Sequence, residues 1–300
     1  MYSRVREERN PFFSIIIPTY NRGNIIKRTI HSVLSQIFSD FELIIVDDGS
    51  TDNTEEVVMN FKDQKIRYFR KENGERGAAR NYGADKSNAR YLNFFDSDDI
   101  MYPNHLQTAH YFIKESHNPE IFHLAFEIID EHRNNIEVRD YLPDPVNPLL
   151  ISGNHLSCNG VFIRKDIFMN HRFNEDRKLA ASEDYELWLR LGSYFPIHSI
   201  KTVTSGIVQH AERSVVNINA YQFLQRINML VNAINKNANI KKYFHGTSGI
   251  ISNIYMYAAL HFAMAGFRSL SLQQLSKSLI ADPKNIFSRK IIGVIKNLVF

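Results

Sequence analysis

Short, largely apolar stretches that each run into a knot of polar residues constrain this chain most. Ser14-Ile15-Ile16-Ile17-Pro18 leads into Thr19-Tyr20-Asn21-Arg22, and Phe41-Glu42-Leu43-Ile44-Ile45-Val46 into Asp47-Asp48-Gly49-Ser50. Tyr91-Leu92-Asn93-Phe94-Phe95 leads into Asp96-Ser97-Asp98-Asp99. Apolar runs of this length, without alternation, read as strands buried on both faces, as in a parallel sheet. Lys65–Arg70 reads as a further, shorter strand. Between the strands, Ile26, Ile30, Val33, Leu34 and Ile37 recur at helical spacing. Ser50, Thr51 or Asp52 can cap a second helix, Gly77 to Ala89 predicts one rich in small residues, and Pro103 opens another. Strands alternating with helices give an α/β fold with a mostly parallel, Rossmann-like sheet and flanking helices. Ligands of such sheets bind outside the carboxyl ends of the strands. One polar cluster there would read as an ordinary turn. Three on the same edge, two of them rich in carboxylates, point to a site.

Downstream, 121–130 and 160–164 read as strands and 183–191 as a helix, while Pro143, Pro145 and Pro148 make 140–148 a loop. Phe223, Ile227, Leu230, Val231 and Ile234 form a helical stripe from Tyr221 onward. A helical hairpin over 250–265 and 270–280 breaks at Gly266, and Asp282-Pro283 stops it. From Arg289 to Phe300, Ile291, Val294, Ile295, Leu298 and Val299 share one side of a last helix. A hydrophobic content of 44% suits a globular core, and the one cysteine, Cys158, excludes an internal disulfide framework or a Cys-rich zinc site. The N-terminal MYSRVREERNP lacks an apolar stretch of signal-peptide length, and no run reaches the ~20 apolar residues of a membrane span. A soluble, cytoplasmic protein is the expectation.

Chemistry can be placed on several of these residues. Asp96, Asp98 and Asp99 crowd four positions, and a hard divalent ion, Mn²⁺ or Mg²⁺, would relieve their repulsion while sharing phosphate oxygens. Such an arrangement suits a diphosphate leaving group. Arg76 and Arg80 lie one helical turn apart beside Gly74 and Gly77, a setting suited to phosphate or simply to a solvated helix face. Ser182-Glu183-Asp184 reads as a capped helix start, or as a carboxylate base at a helix edge aimed at a cleft. Tyr20 can stack on a base ring or fill its turn, and His210 can ligate a metal or serve structure.

Five motifs in order carry a resemblance: Pro18-Thr19-Tyr20-Asn21-Arg22, Val46-Asp47-Asp48-Gly49-Ser50, Asn73-Gly74 with Gly77-Ala78-Ala79-Arg80-Asn81, Asp96-Ser97-Asp98-Asp99, and Glu183-Asp184-Tyr185-Glu186-Leu187-Trp188-Leu189-Arg190. Over about residues 12–215 the chain resembles the family 2 inverting glycosyltransferases of GT-A fold, of the bacterial type that builds cell-surface glycans. The resemblance implies a nucleotide-sugar donor, expected to be a UDP-sugar, and a glycan or lipid-linked acceptor. It implies that Thr19, Tyr20, Asn21, Asp48, Arg80 and Asp96 bind the donor and that Asp98, Asp96 and His210 serve a Mn²⁺ or Mg²⁺ ion. Asp184 would be the catalytic base, with Glu183 positioning it or the acceptor hydroxyl. Two other readings stay open. A sugar nucleotidyltransferase would want a Gly-rich basic loop directly after the first strand, which Thr19-Tyr20-Asn21-Arg22-Gly23 is not. A non-catalytic binding protein on the same fold would not need carboxylates at 48, 96, 98 and 184.

The charge is uneven. Residues 221–300 hold ten Lys and Arg and one acid, Asp282, so they carry +9 of a net +4, leaving −5 for the rest. The expectation is a catalytic domain over 1–215 and a basic helical extension over 216–300. The extension would meet an anionic membrane surface on its cytoplasmic face, pack back on the catalytic domain, or form a homodimer contact. No nucleic-acid partner is expected.

Overall fold

The computed structural model describes residues 10–210 and 219–299. The sequence reading of MYSRVREERNP falls largely on 1–9, and the 215/216 domain boundary falls within 211–218, both outside the described residues. The chain divides into two compact units: residues 1–142, 156–173 and 198–209, and residues 143–155, 174–197 and 210–300.

The first unit holds the sheet. Its strands are β1 (Phe13–Thr19), β2 (Phe41–Asp47), β3 (Ile66–Arg70), β4 (Tyr91–Phe94), β5 (Ile100–Met101), β6 (Ile121–Ile129), β7 (Asn135–Arg139), β8 (Val161–Arg164) and β9 (His198–Val208). Its helices are α1 (Ile26–Leu34), α2 (Thr54–Met59), α3 (Glu75–Lys86), α4 (His105–Glu115) and α5 (Lys165–Asn170). The order is β3-β2-β1-β4-β8-β6-β9-β5, with β7 on β6. The expected parallel arrangement holds across β3-β2-β1-β4. Beyond β4 the sheet is mixed: β8 runs antiparallel to β4 and β6, while β6 and β9 are parallel. The chain reaches β8 through β6, β7 and irregular segments rather than a βα crossover, so no crossover rule fixes its direction.

Ile15, Ile16 and Ile17 of β1 and Leu43, Ile44, Ile45 and Val46 of β2 are fully buried, as strands covered on both faces must be. Alternate residues of β1 and β2 join α1, α4, Phe122 and Phe162 in one core. The small residues of α3 let it approach the sheet closely: a Cβ on Gly83 would lie 2.4 Å from Ile16 Cγ2.

The second unit is helical: α6 (Glu183–Gly192), α7 (Ala220–Lys236), α8 (Ala238–Tyr243), α9 (Ser248–Met264), α10 (Arg268–Ala281) and α11 (Arg289–Val299). The hairpin of α9 and α10 turns at Gly266, where φ is +80°. Its seam is made of serines: Ser252 and Ser278 each donate to the other's carbonyl at 2.7 and 2.8 Å, and Ser271 donates to Ala259 O at 2.8 Å. The proline-rich 140–148 stays irregular until a 3₁₀ turn over Asn147–Ser152. Among the described residues no helix is long and apolar enough to cross a membrane.

Candidate active site

In the first unit the parallel register places Thr19 beside Asp47, with β4 ending next to β1 on the same edge. The turns at that edge are sewn together. Asn21, held at φ +51°, donates its N–H to Ser50 Oγ (2.9 Å) and accepts from Thr51 N at 2.8 Å. Gly23 N donates to Asp52 Oδ2 at 3.0 Å, and Arg22 N to Thr54 Oγ1 at 2.9 Å. None of the three caps the sequence offers takes the cap position, which falls on Asn53 without a side-chain capping bond. Asp52, one residue earlier, instead braces the turn, its Oδ1 accepting from Thr54 N at 3.0 Å. Burial pushes its carboxyl up, but the bonds from Thr54 and Gly23 outweigh it and hold it below the usual range.

The two aspartates that end β2 have different work. Asp47 is fully buried and accepts from Ser50 N and the Tyr68 hydroxyl, both at 2.7 Å, so it holds the turn. Burial and the Asp47 carboxylate both push the Tyr68 hydroxyl above its ordinary pKa, keeping it the donor. Asp48 is 4% exposed, and its Oδ1 accepts from Lys71 Nζ (2.7 Å) and Gly74 N (2.9 Å). Both bonds fall on one oxygen. Thr19 Oγ1, buried at the end of β1, has no hydrogen-bond partner, and Tyr20 is 48% exposed. A buried lone hydroxyl beside an oriented carboxylate and an exposed ring is a suitable lining for a heterocyclic base.

Arg80 is 2% exposed, although the sequence leaves open a solvated role for it. Its Nη2 donates to Asp96 Oδ1 at 2.9 Å, and its guanidinium lies 5.2 Å from the Phe173 ring centroid. The Asp96–Asp99 turn is clamped from both sides. Arg28 Nη2 donates to Asp98 O (2.6 Å) and Thr29 Oγ1 to Ser97 O and Asp99 O (3.0 and 2.8 Å). Asn159 accepts from Asp96 N at 2.8 Å and donates to Asp99 Oδ2 at 2.7 Å, and Val208 N donates to Asp99 Oδ1 at 2.9 Å. Asp99 is therefore a buried brace. Asp96 and Asp98 keep exposed carboxylate surface, 32% and 13% of their side chains, with arginines nearby: Arg80, and Arg22 at 3.8 Å from Asp98.

Among the described residues no three His, Cys, Asp or Glu side chains gather as a ligand set. Two carboxylates on a pinned turn nevertheless fit a hard divalent ion of the Mg²⁺ type, which takes one or two carboxylates and completes its shell with water and substrate phosphates.

The second unit holds the other predicted residues. Ala181, at φ +67°, turns the chain into α6. Ser182 makes no side-chain capping bond, contrary to its expected role. Glu183 is 2% exposed. Asp184 accepts from Asn154 Nδ2 (Oδ2, 2.9 Å) and from Tyr185 N (Oδ1, 2.7 Å). The helix is locked behind them: Arg190 holds Glu186 through two bonds at 2.9 and 2.8 Å, Trp188 is fully buried, and the Tyr185 hydroxyl donates to Leu150 O at 2.6 Å. Tyr257 of α9 is pushed above its ordinary pKa by burial, and the Asp184 charge adds to the shift. His210 belongs to this unit and is the last described residue before 211–218, so Ala211 to Ser214 of its motif lie outside the described residues.

Lys71, Asn159 and Asn154 went unread in the sequence. Lys71 directly follows β3 at the same sheet edge, which was a usable signal. Asn154 sits in a segment with no periodicity and offered none.

The sequence model of glycosyl transferase family 2 matches residues 14–167. This chain belongs to that family. An uncharacterized glycosyltransferase of Rickettsia conorii is 35% identical over 212 residues, 67% of this chain and 34% of that protein, so the chain spans about a third of its length. The Escherichia coli UDP-Glc:alpha-D-GlcNAc-diphosphoundecaprenol beta-1,3-glucosyltransferase WfgD is 29% identical over 71% of this chain and 82% of its own. A Campylobacter jejuni GalNAc(5)-diNAcBac-PP-undecaprenol beta-1,3-glucosyltransferase is 26% identical over 90% and 92%. Staphylococcus aureus TarS 1–349, crystallised with UDP-GlcNAc, superposes with a TM-score of 0.70 at 19% identity, covering 96% of this chain and 89% of that one. The expected GT-A-like fold is thereby shown, including its C-terminal helices.

Proposed function

We propose that this chain is an inverting glycosyltransferase that moves a sugar from a UDP-sugar to a hydroxyl of a glycan or lipid-linked acceptor. The observation that carries the reading is the meeting of Thr19, Asp48 and the Asp96–Asp98 turn on the carboxyl edge of β1, β2 and β4. The Escherichia coli and Campylobacter jejuni relatives support it, since both names describe transfer to undecaprenol-diphosphate-linked glycans.

Asp48, fixed through Oδ1, offers its second oxygen to a ring N–H of uracil, with Thr19, Tyr20 and Asn21 shaping the base pocket. Asp98, with Asp96, would hold Mn²⁺ or Mg²⁺, which when bound stabilises charge on the departing diphosphate. Arg80 holds Asp96 in place for that role. Asp184, supported by Glu183, takes the proton of the acceptor hydroxyl as its oxygen bonds the anomeric carbon. The bond from that carbon to the donor phosphate oxygen breaks, and its electron pair leaves with UDP. One displacement inverts the centre, so an α-linked donor gives a β-linked product. The beta linkages in the relatives' names agree. His210 remains a candidate for the metal or the diphosphate.

Incubation with a panel of UDP-sugars, Mn²⁺ and an undecaprenol-diphosphate-linked sugar tests the reading by UDP release and product mass. Wild type is expected to release UDP and add one sugar mass, and Asp184→Asn to do neither while still binding UDP. Transfer that persists in Asp184→Asn would overturn it.

A further inference from the structure

Helix α11 carries a wider apolar stripe than its own unit covers. Ile291, Val294 and Leu298 pack on α9, with Val294 fully buried against Met256 and Ala259. Ile295, which the sequence puts on the same side, instead stands 52% exposed, beside Ile292 at 67%. Residues three apart are neighbours on a helix surface. Just upstream, in the 3₁₀ turn Pro283–Phe287, Ile286 is 52% and Phe287 90% exposed. Lys284, Arg289 and Lys296 are exposed among them, and the sequence has no acid after Asp282. Scattered exposed apolar residues are ordinary; four large ones in ten residues, interleaved with three cations and with Asp282, the cap of the 3₁₀ turn, as the one acid of residues 282–300, are the basis for a surface.

We infer that residues 284–296 are an interfacial surface that seats on an anionic lipid bilayer. Phe287, Ile292 and Ile295 enter the boundary between headgroups and acyl chains, while Lys284, Arg289 and Lys296 meet lipid phosphates. The chemistry favours lipid over a free polyanion, which would find the cations but leave Phe287 and both isoleucines in water. The helix is too short to span and is suited to lying in the interface plane. Lys290, on its other flank, is half-buried and donates to Ser152 O at 3.0 Å, so α11 is tied to its own unit. Seating needs neither donor nor acceptor, so it stands or falls apart from the transfer reaction.

Co-sedimentation of the full chain, without substrates, with vesicles of phosphatidylcholine alone or mixed with phosphatidylglycerol tests this. Wild type is expected to pellet with the anionic vesicles and to be released by salt. Phe287→Ser combined with Ile295→Ser should lower partitioning by about tenfold or more. Lys284→Gln and Lys296→Gln should each lower it roughly fivefold on anionic vesicles only. Circular dichroism checks that the variants keep their helices; all four substituted side chains are exposed. No vesicle binding, or equal binding by wild type and variants, overturns the inference. So does a self-associated form that Ile295→Ser dissolves, which would assign the surface to a second copy of the chain.

Discussion

Asn154 donates to Asp184 across 2.9 Å, while the other oxygen of that carboxylate accepts the N–H of Tyr185 at 2.7 Å. The candidate base is thus held at both oxygens, one from a loop and one from its own helix. Removing the loop bond lets the carboxylate rotate. Asn154→Ala is expected to lower kcat by roughly tenfold to a hundredfold with little change in KM for the donor. Asn154→Asp should also move the acid limb of the kcat profile upward, because a second carboxylate at that distance disfavours ionisation of the first. Steady-state UDP release across pH checks both, and an unchanged profile would make Asn154 merely structural.

Asp98 and Asp99 are adjacent and should fail differently. Asp99 is fully buried and answers Asn159 Nδ2 and Val208 N, so Asp99→Ala strands two buried donors. Each stranded group costs about 1–3 kcal/mol, and the loss should appear in urea unfolding. Asp98→Ala should leave the unfolding midpoint near wild type and lower kcat by on the order of a hundredfold or more. Chelator should affect wild type as the substitution does.

Gly83→Ala pits helix propensity against packing. Alanine gains up to about 1 kcal/mol in a helix interior. Its Cβ, however, would lie 2.4 Å from Ile16 Cγ2 and 3.1 Å from Val46 Cγ2, between two core strands. Overpacking of that kind costs roughly 1–3 kcal/mol, so the variant should be less stable. Thermal melting decides the sign.

His105 and His123 give the fold an acid limit. Both are fully buried, and burial pushes each down to about 3, with the His123 charge adding at His105. His105 Nδ1 lies 2.8 Å from Thr204 Oγ1, and Ser157 N donates to His123 Nε2 at 3.2 Å, bonds that hold neutral rings. The unfolded chain binds protons near pH 6.5 and the folded one does not, so stability is full above that pH and falls as pH drops toward 3. At pH 5 the loss is about 2 kcal/mol per histidine. Urea unfolding at pH 7 and pH 5 should show it, and His105→Gln should flatten the slope.

Where burial is two-sided the sequence was readable. The isoleucine runs of β1 and β2, the small residues of α3 and the Gly266 break follow from period and composition alone. The edge strand β7 is only five residues long, and its two apolar residues, Ile136 and Val138, stay exposed. Strand β9 is rich in β-branched residues (Ile200, Thr202, Val203, Thr204, Ile207, Val208) but mixes them with Ser, Lys and Gly, so neither an apolar run nor a regular alternation marks it. At the site, the aspartates were legible because carboxylates at strand ends are conspicuous. Their division of labour was not. Only the fold separates Asp47 and Asp99, which brace turns, from Asp48, whose Oδ1 takes the bonds from Lys71 and Gly74, and from Asp98, whose side chain keeps exposed surface. Arg80 is similar: in sequence it is one basic residue on a helix, and only packing against Phe173 reveals it as buried.

The turn at Asp96–Asp99 owes its shape to Arg28 and Thr29, seventy residues earlier in the chain. Grafting that loop from a relative would transplant letters without their conformation. Any redesign of this turn must exchange α1 along with the loop, treating the two as a single cassette.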